Sequence, residues 1–314
     1  MNTKKPHLWW DICLNPFFGC KPKAAGCTHC WAAASFWDDK HNRPAAGRED
    51  LVMRDPKFGN IRWTGQIQIN NNFGAQLFEL AKLPPGSVVA FEFMGDIFLE
   101  NKDSEHMCHI VFALAQVHKH LVFVVTTKRP ERIRTMWADY YERLDTIAPN
   151  VWLLCSVSTQ KDLVDLLPQL EGVRASVIGL SLEPMLEEVD LAPYFEFMMP
   201  GRRVGPLPAP GENPSSNAQF PPGQPWVILG AEKVRRSMGV SRFFAERWAY
   251  KIVYDCVAAG CPVFYKYGPG EAGFCNSPLI DGKVWHYYPK QLAAIREQQT
   301  ALFPPAAAAP EEGS

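Results

Sequence analysis

Apolar residues in this chain gather in short continuous runs: Ser87-Val-Val-Ala-Phe-Glu-Phe-Met94, Leu121-Val-Phe-Val-Val-Thr-Thr127, Val151-Trp-Leu-Leu-Cys-Ser-Val157, Ala175-Ser-Val-Ile-Gly-Leu-Ser181, Trp226-Val-Ile-Leu-Gly230 and Pro262-Val-Phe-Tyr-Lys266. Runs of that kind, without alternation, are expected of strands buried on both faces. Helical periodicity separates them, over 73–82, 104–118, 131–144, 160–169 and 241–259. The punctuation agrees: Pro84-Pro85-Gly86 stops the first helix, Pro130 suits the first turn of the third, and Gly260 is a C-terminal cap. Ahead of them His7–Cys13 reads as a short strand, Asn15–Gly19 as a turn, and Cys30-Trp-Ala-Ala-Ala-Ser-Phe-Trp37 as a helix start. Residues 41–65 read as polar and irregular, anchored by Trp63.

Strands alternating with helices indicate an α/β fold whose parallel sheet is joined by right-handed crossovers. The expected architecture is a partial or complete (β/α) barrel with outer helices, one domain over residues 1–298. A Pro/Gly-rich insertion at 199–225 interrupts it, and residues 299–314 form a tail unable to bury a core face. Polar residues recur just after the apolar runs: Asp96, Lys128, Arg129, Ser156, Ser158, Glu183, Glu232, Lys233 and Lys266. In a parallel barrel these positions share the face on which active sites are built.

Composition narrows the setting. At 314 residues, 47% hydrophobic and 21% charged, the chain can bury a large core, and a net charge of −1 supplies no global field for nucleic acid or membrane. No apolar run approaches the roughly 20 residues needed to span a bilayer. The nine cysteines are an odd number in a chain that opens without an apolar leader, which leads us to expect a reducing cytoplasm. Cys108, Cys155 and Cys256 lie in apolar patterns and read as core.

The chemistry concentrates in Cys20-Lys-Pro-Lys-Ala-Ala-Gly-Cys27-Thr-His-Cys30. A structural zinc site closes with four protein ligands, and an ordinary iron–sulfur cluster with four thiolates, so three thiols leave one metal corner open. Gly19 and Gly26 each precede a cysteine and let the backbone turn sharply. Alternatives are a zinc knuckle completed by His29, Cys13 or a distant residue, an electron-transfer centre, and a redox pair of Cys27 with Cys30.

Taken together, Asn15-Pro-Phe-Phe-Gly-Cys20 with Cys27-x-x-Cys30, Met94-Gly-Asp-Ile-Phe98, Thr127-Lys-Arg-Pro-Glu-Arg132, Ser181-Leu-Glu-Pro-Met185 and Cys256-x4-Cys-Pro-Val-Phe-Tyr-Lys266 resemble a phage-associated three-cysteine family related to radical S-adenosylmethionine (radical SAM) enzymes. The spacing C-x6-C-x2-C is wider than the C-x3-C-x2-C of most radical SAM enzymes and agrees with this family. After Gly230 the chain reads Ala231-Glu-Lys-Val-Arg-Arg236 where the family is usually glycine-rich, keeping Glu232.

The resemblance implies a [4Fe–4S] cluster on Cys20, Cys27 and Cys30, with SAM on the fourth iron. It also implies a cytoplasmic enzyme served by an electron donor such as flavodoxin or ferredoxin. With that ligand, charge complementarity assigns Asp96 to the SAM ammonium, Lys128 or Arg129 to its carboxylate, and Ser156 or Ser158 to the ribose. Glu183, Glu232, Lys233 and Lys266 are left to face the substrate. The basic clusters Lys128-Arg129-x-x-Arg132-x-Arg134 and Lys233-x-Arg235-Arg236 would suit a nucleotide or a DNA base.

Overall fold

In the structure, a computed structural model that describes residues 7–136, 148–173, 175–199, 224–233, 241–269, 275–290, 292, 293 and 295, the apolar runs form one sheet. Its strands are β1 (Ile12–Leu14), β2 (Val88–Phe91), β3 (Val122–Thr127), β4 (Val151–Ser156), β5 (Val177–Leu182), β6 (Gln224–Gly230), β7 (Val263–Gly268) and β8 (Cys275–Asn276). They lie side by side in chain order, β1 to β7 parallel and β8 antiparallel to β7. The sheet curls into a half-barrel that does not close on itself. The fold class expected from the sequence is thus found in its partial form.

The pleat sorts the side chains. Val88, Ala90, Val122, Val124, Trp152, Leu154, Trp226, Ile228 and Phe264 fill the concave face together with Trp9. The alternate positions, such as Val89, Phe91, Phe123, Val125, Leu153, Leu180 and Leu229, pack outward on the helices. Because both faces are buried, every residue of β2 and of β4 is excluded from water, which is why the runs show no alternation.

The helices are α1 (Trp31–Ser35), α2 (Phe73–Leu80), α3 (Lys102–Cys108), α4 (Ile110–Val117), α5 (Ile133–Met136), α6 (Gln160–Leu166), α7 (Ala192–Met198) and α8 (Glu246–Ala259). The expected helix over 104–118 is two helices meeting at His109. A capping box of Thr159 and Asp162 starts α6, and Gly260 in the left-handed region ends α8.

Two expectations are corrected. The first strand begins only at Ile12, because Trp9 turns into the concave core, edge-on to Trp226 with centroids 5.6 Å apart. Residues 41–65 are not irregular: Trp37–Asp38 pairs with Arg43–Pro44, and Val52–Arg54 with Ile61–Trp63. Strands of two or three residues are too short to display a period. Trp63 is nonetheless the expected anchor, packed with Ala32, Ala33, Phe36 and Ile61 in a satellite core beneath α1. The remainder of the 131–144 helix, most of the 199–225 insertion, Arg235, Arg236 and the 299–314 tail lie outside the described residues. Among the described residues, no helix is long and apolar enough to cross a membrane.

A thiol-lined cavity at the mouth of the half-barrel

The cysteine loop leaves β1 and is riveted to the segment after β2. The Asn15 side-chain oxygen accepts from the amides of Phe93 (2.9 Å) and Met94 (3.1 Å), and the Gly19 amide donates to the Met94 carbonyl at 3.0 Å. Gly19 has φ +114°, and a Cβ built there would stand 2.2 Å from the Gln66 carbonyl oxygen, so no other residue fits. Gly19→Ala should therefore cost ~2–4 kcal/mol in urea unfolding. A stability within experimental error of the parent would refute this account of the turn.

All three motif thiols line a cavity of about 640 Å³ at the C-terminal ends of the strands, and the charges of Cys27 and Cys30 act on Cys20. Burial pushes the Cys20 thiol up, helped by the Asp96 charge and opposed by Arg129, whose guanidinium Nη1 lies 3.8 Å from the sulfur. Burial also raises Cys30, against the amides of Ala33 and Ala32 at the start of α1. A thiolate formed at either position thus already has donors facing it.

The cavity wall also gathers Asp96, Lys128, Arg129, Ser156, Glu183, Glu232, Lys233 and Lys266, so nearly the whole series read from the strand ends converges. Several of them are already engaged by other protein groups. Asp96 accepts from the Thr127 hydroxyl (2.8 Å), the Lys128 amide (3.0 Å), the Phe98 amide (3.1 Å) and Arg129 Nη1 (2.9 Å). A carboxylate has about four acceptor sites, so Asp96 is committed to the protein and not open to a ligand ammonium. Arg129 is committed as well, since its other nitrogen donates to the Lys21 carbonyl. Lys128 differs: its ammonium donates to the Ser156 hydroxyl at 2.8 Å, and no carboxylate pairs with it among the described residues.

Glu232 is engaged by the protein as well. Arg242 clamps it through Nε and Nη2 and its own amide, and His29 Nδ1 lies 3.0 Å away. Burial opposes its ionisation, but the Arg242 donors outweigh that and hold its carboxyl below the usual range. Because Arg242 also donates to the Ala25 carbonyl at 2.8 Å, this cluster ties the segment after β6 to the cysteine loop. Ser158 is not on the cavity wall. Its hydroxyl lies under Gly26, 2.3 Å from where a Cβ would be. Glu183 accepts from Lys266 at 2.9 Å, and the Lys266 ammonium lies 4.6 Å from the Trp10 ring centre and 4.8 Å from that of Tyr267.

Sequence reading passed over Glu92, hidden in an apolar run. It is 1% exposed, sits at φ +58°, and lines the cavity. One carboxyl oxygen accepts from the Phe17 amide at 3.3 Å, and the other has no hydrogen-bond partner among the described residues. Burial, reinforced by Asp96, pushes its carboxyl well above the ordinary range near 4.5. An acid whose folded value is raised contributes stability below its unfolded value and loses it as pH climbs to the folded one. Stability should thus fall as pH rises above 4.5, and Glu92→Gln should flatten that decline. Parallel pH–stability curves for the two proteins would rule out a neutral Glu92.

Among the described residues, no group of three His, Cys, Asp or Glu side chains converges as one bound ion would require. Fold and site together define a parallel β/α half-barrel protein with a thiol- and lysine-lined cavity at its mouth. The chain belongs to the family described as Protein of unknown function (DUF5131), whose model matches residues 6–289. Neither the curated proteins nor the solved structures contain a match to it.

Proposed function

We propose that this chain is a radical SAM enzyme, with Cys20, Cys27 and Cys30 holding a [4Fe–4S] cluster whose fourth iron takes SAM. The observation that carries the reading is that three thiols, and no fourth from the same loop, line the strand-end cavity alongside Lys128. A single tetrahedral ion draws its ligands to one point, about 2.3 Å from each sulfur, whereas a cluster asks for one thiol per iron. Two orphaned polar atoms in the wall, the Thr126 hydroxyl and a Glu92 oxygen, also fit a site meant to hold a polar guest.

When bound and given one electron by a donor such as flavodoxin or ferredoxin, the cluster would supply the reductive cleavage of SAM to methionine and a 5′-deoxyadenosyl radical able to take a hydrogen atom from the substrate. The protein's part is positioning. Lys128, steadied by Ser156, pairs with the SAM carboxylate. Arg129 and the amides of Ala32 and Ala33 offset thiolate charge on Cys20 and Cys30. Trp10, Trp63, Phe93 and Tyr267 line the cavity with apolar surface that displaces water. The substrate falls to the Glu183, Lys233 and Lys266 side, where a nucleotide or a base would fit the local positive charge.

The test is anaerobic purification, iron and sulfide analysis, and incubation with SAM and dithionite. The expected result is a brown protein that forms 5′-deoxyadenosine. A colourless, zinc-loaded protein, or an iron–sulfur protein inert to SAM, would end this reading.

A further inference from the structure

Three residues of the cavity wall each carry a buried polar atom that has no hydrogen-bond partner among the described residues: Trp9 its indole Nε1, Thr126 its Oγ1 and Glu92 its Oε1. An unmet polar atom is costly to bury, so three on one surface mark a place that a ligand or ordered water completes.

Their placement follows from the sheet. Thr126 lies opposite Leu154, Leu154 opposite Gly179, and Gly179 opposite Trp226, so one row crosses β3 to β6 with Thr126 as its only hydroxyl. The Trp226 N–H is already taken by the Tyr287 carbonyl at 3.0 Å. Trp9 packs edge-on against that indole. Phe91 is paired with Val125, which sets Glu92 one step beyond β2, beside the Thr126 strand. The concave positions of the row below, Ala90, Val124 and Trp152, belong to the apolar core. The three groups thus form the floor of the cavity.

What the floor offers is donation. An indole N–H can only donate, and a threonine hydroxyl is free to do so. On Glu92 the Phe17 amide engages Oε2 at 3.3 Å, while burial, reinforced by the Asp96 charge, pushes the carboxyl well above its ordinary range near 4.5. The proton then belongs on Oε1, the oxygen in the wall. A neutral carboxylic acid in an apolar site donates to a carbonyl oxygen in this way.

We propose that Trp9, Thr126 and Glu92 form a pocket for the neutral carbonyl oxygen of a ring-bearing ligand, whose apolar body packs against Trp10 and Phe93. Those two rings and Trp9 meet edge to face, with centres 4.9 to 5.5 Å apart, and make an aromatic wall beside the floor. As a substrate site the pocket rests on the enzyme proposed above, to which it adds a substrate class. As a binding site it needs only the cavity.

The experiment is calorimetric titration of the full-length protein with acetophenone and with α-methylstyrene, which has a methylene in place of the carbonyl oxygen. Acetophenone should bind about tenfold more tightly. That preference should shrink to about threefold or less in Thr126→Val and in Glu92→Met. It should return in Glu92→Gln, whose amide N–H donates where the acid O–H did. Thr126→Val keeps the shape of its side chain, so its result stands even if Glu92→Met folds poorly.

Equal affinity for the two probes, no binding of either, or an undiminished preference in Thr126→Val would overturn the assignment and leave the three atoms to ordered water. Tighter binding of acetophenone by Glu92→Gln than by the parent would also overturn it, being the mark of an ionised Glu92. SAM cleavage, measured on the same samples, separates the two ideas. A carbonyl preference without SAM cleavage keeps the pocket and removes the radical reading, and SAM cleavage without the preference does the reverse.

Discussion

On the radical SAM reading proposed above, Cys27→Ala should give a folded protein that forms no detectable 5′-deoxyadenosine. The loss should exceed three orders of magnitude in rate, on the order of 4 kcal/mol of barrier or more, because one iron of the proposed cluster would lose its only protein ligand. The fold should survive, since the loop is held by other groups: the Gly19 amide on Met94, Arg129 on Lys21, and Arg242 on Ala25. Cys275→Ala is the control. That thiol lies on β8, away from the cavity lining, and its loss should leave iron content and SAM cleavage unchanged. If Cys27→Ala keeps its iron and still cleaves SAM, the cluster sits elsewhere or does not exist.

Much of the architecture could be read from the chain because burial on both faces is visible in a single strand. Val122–Val125 needs no partner to declare itself, and β2 to β7 were all anticipated as apolar runs. The polar residues that close each run, Lys128, Ser156, Glu183 and Lys266, were legible for the same reason: the change from apolar to polar marks where a strand leaves the core. What could not be read depends on distant pairing. Asp96 and Arg129 lie 33 residues apart and neutralise one another. Glu232 meets Arg242, ten positions further along the chain, and nothing in the local sequence pattern announces that pair. No local pattern separates a carboxylate free to bind a ligand from one already saturated. The bulge at Lys266, where Leu229 pairs with Tyr265 but Gly230 with Tyr267, is equally silent, because a slip in register is a property of two strands. Glu92 had a signal, an acid inside an apolar run, and the signal reports burial without saying what the acid does there.

Asp96 is where stability and chemistry are most tightly joined, and Asp96→Ala should show both at once. Asp96 is 4% exposed and Arg129 7%, so removing the carboxylate leaves a guanidinium buried without its counter-charge. Breaking a buried pair from one side costs ~3–5 kcal/mol, which urea unfolding at neutral pH measures directly. The amides of Lys128 and Phe98 and the Thr127 hydroxyl lose their acceptor in the same stroke. Adding Arg129→Met should recover a good part of the loss, because the stranded charge is then gone, and the resulting double-mutant cycle isolates the pair. The recovery should not extend to iron. Arg129 braces the Lys21 carbonyl and lies against the Cys20 sulfur, so if Cys20 holds the proposed cluster, both the single and the double variant should incorporate less iron although no thiol has changed. Were Asp96→Ala as stable as the parent, or the double variant no more stable than the single, the pair would be a surface-like contact and the cysteine loop would owe its place to other groups.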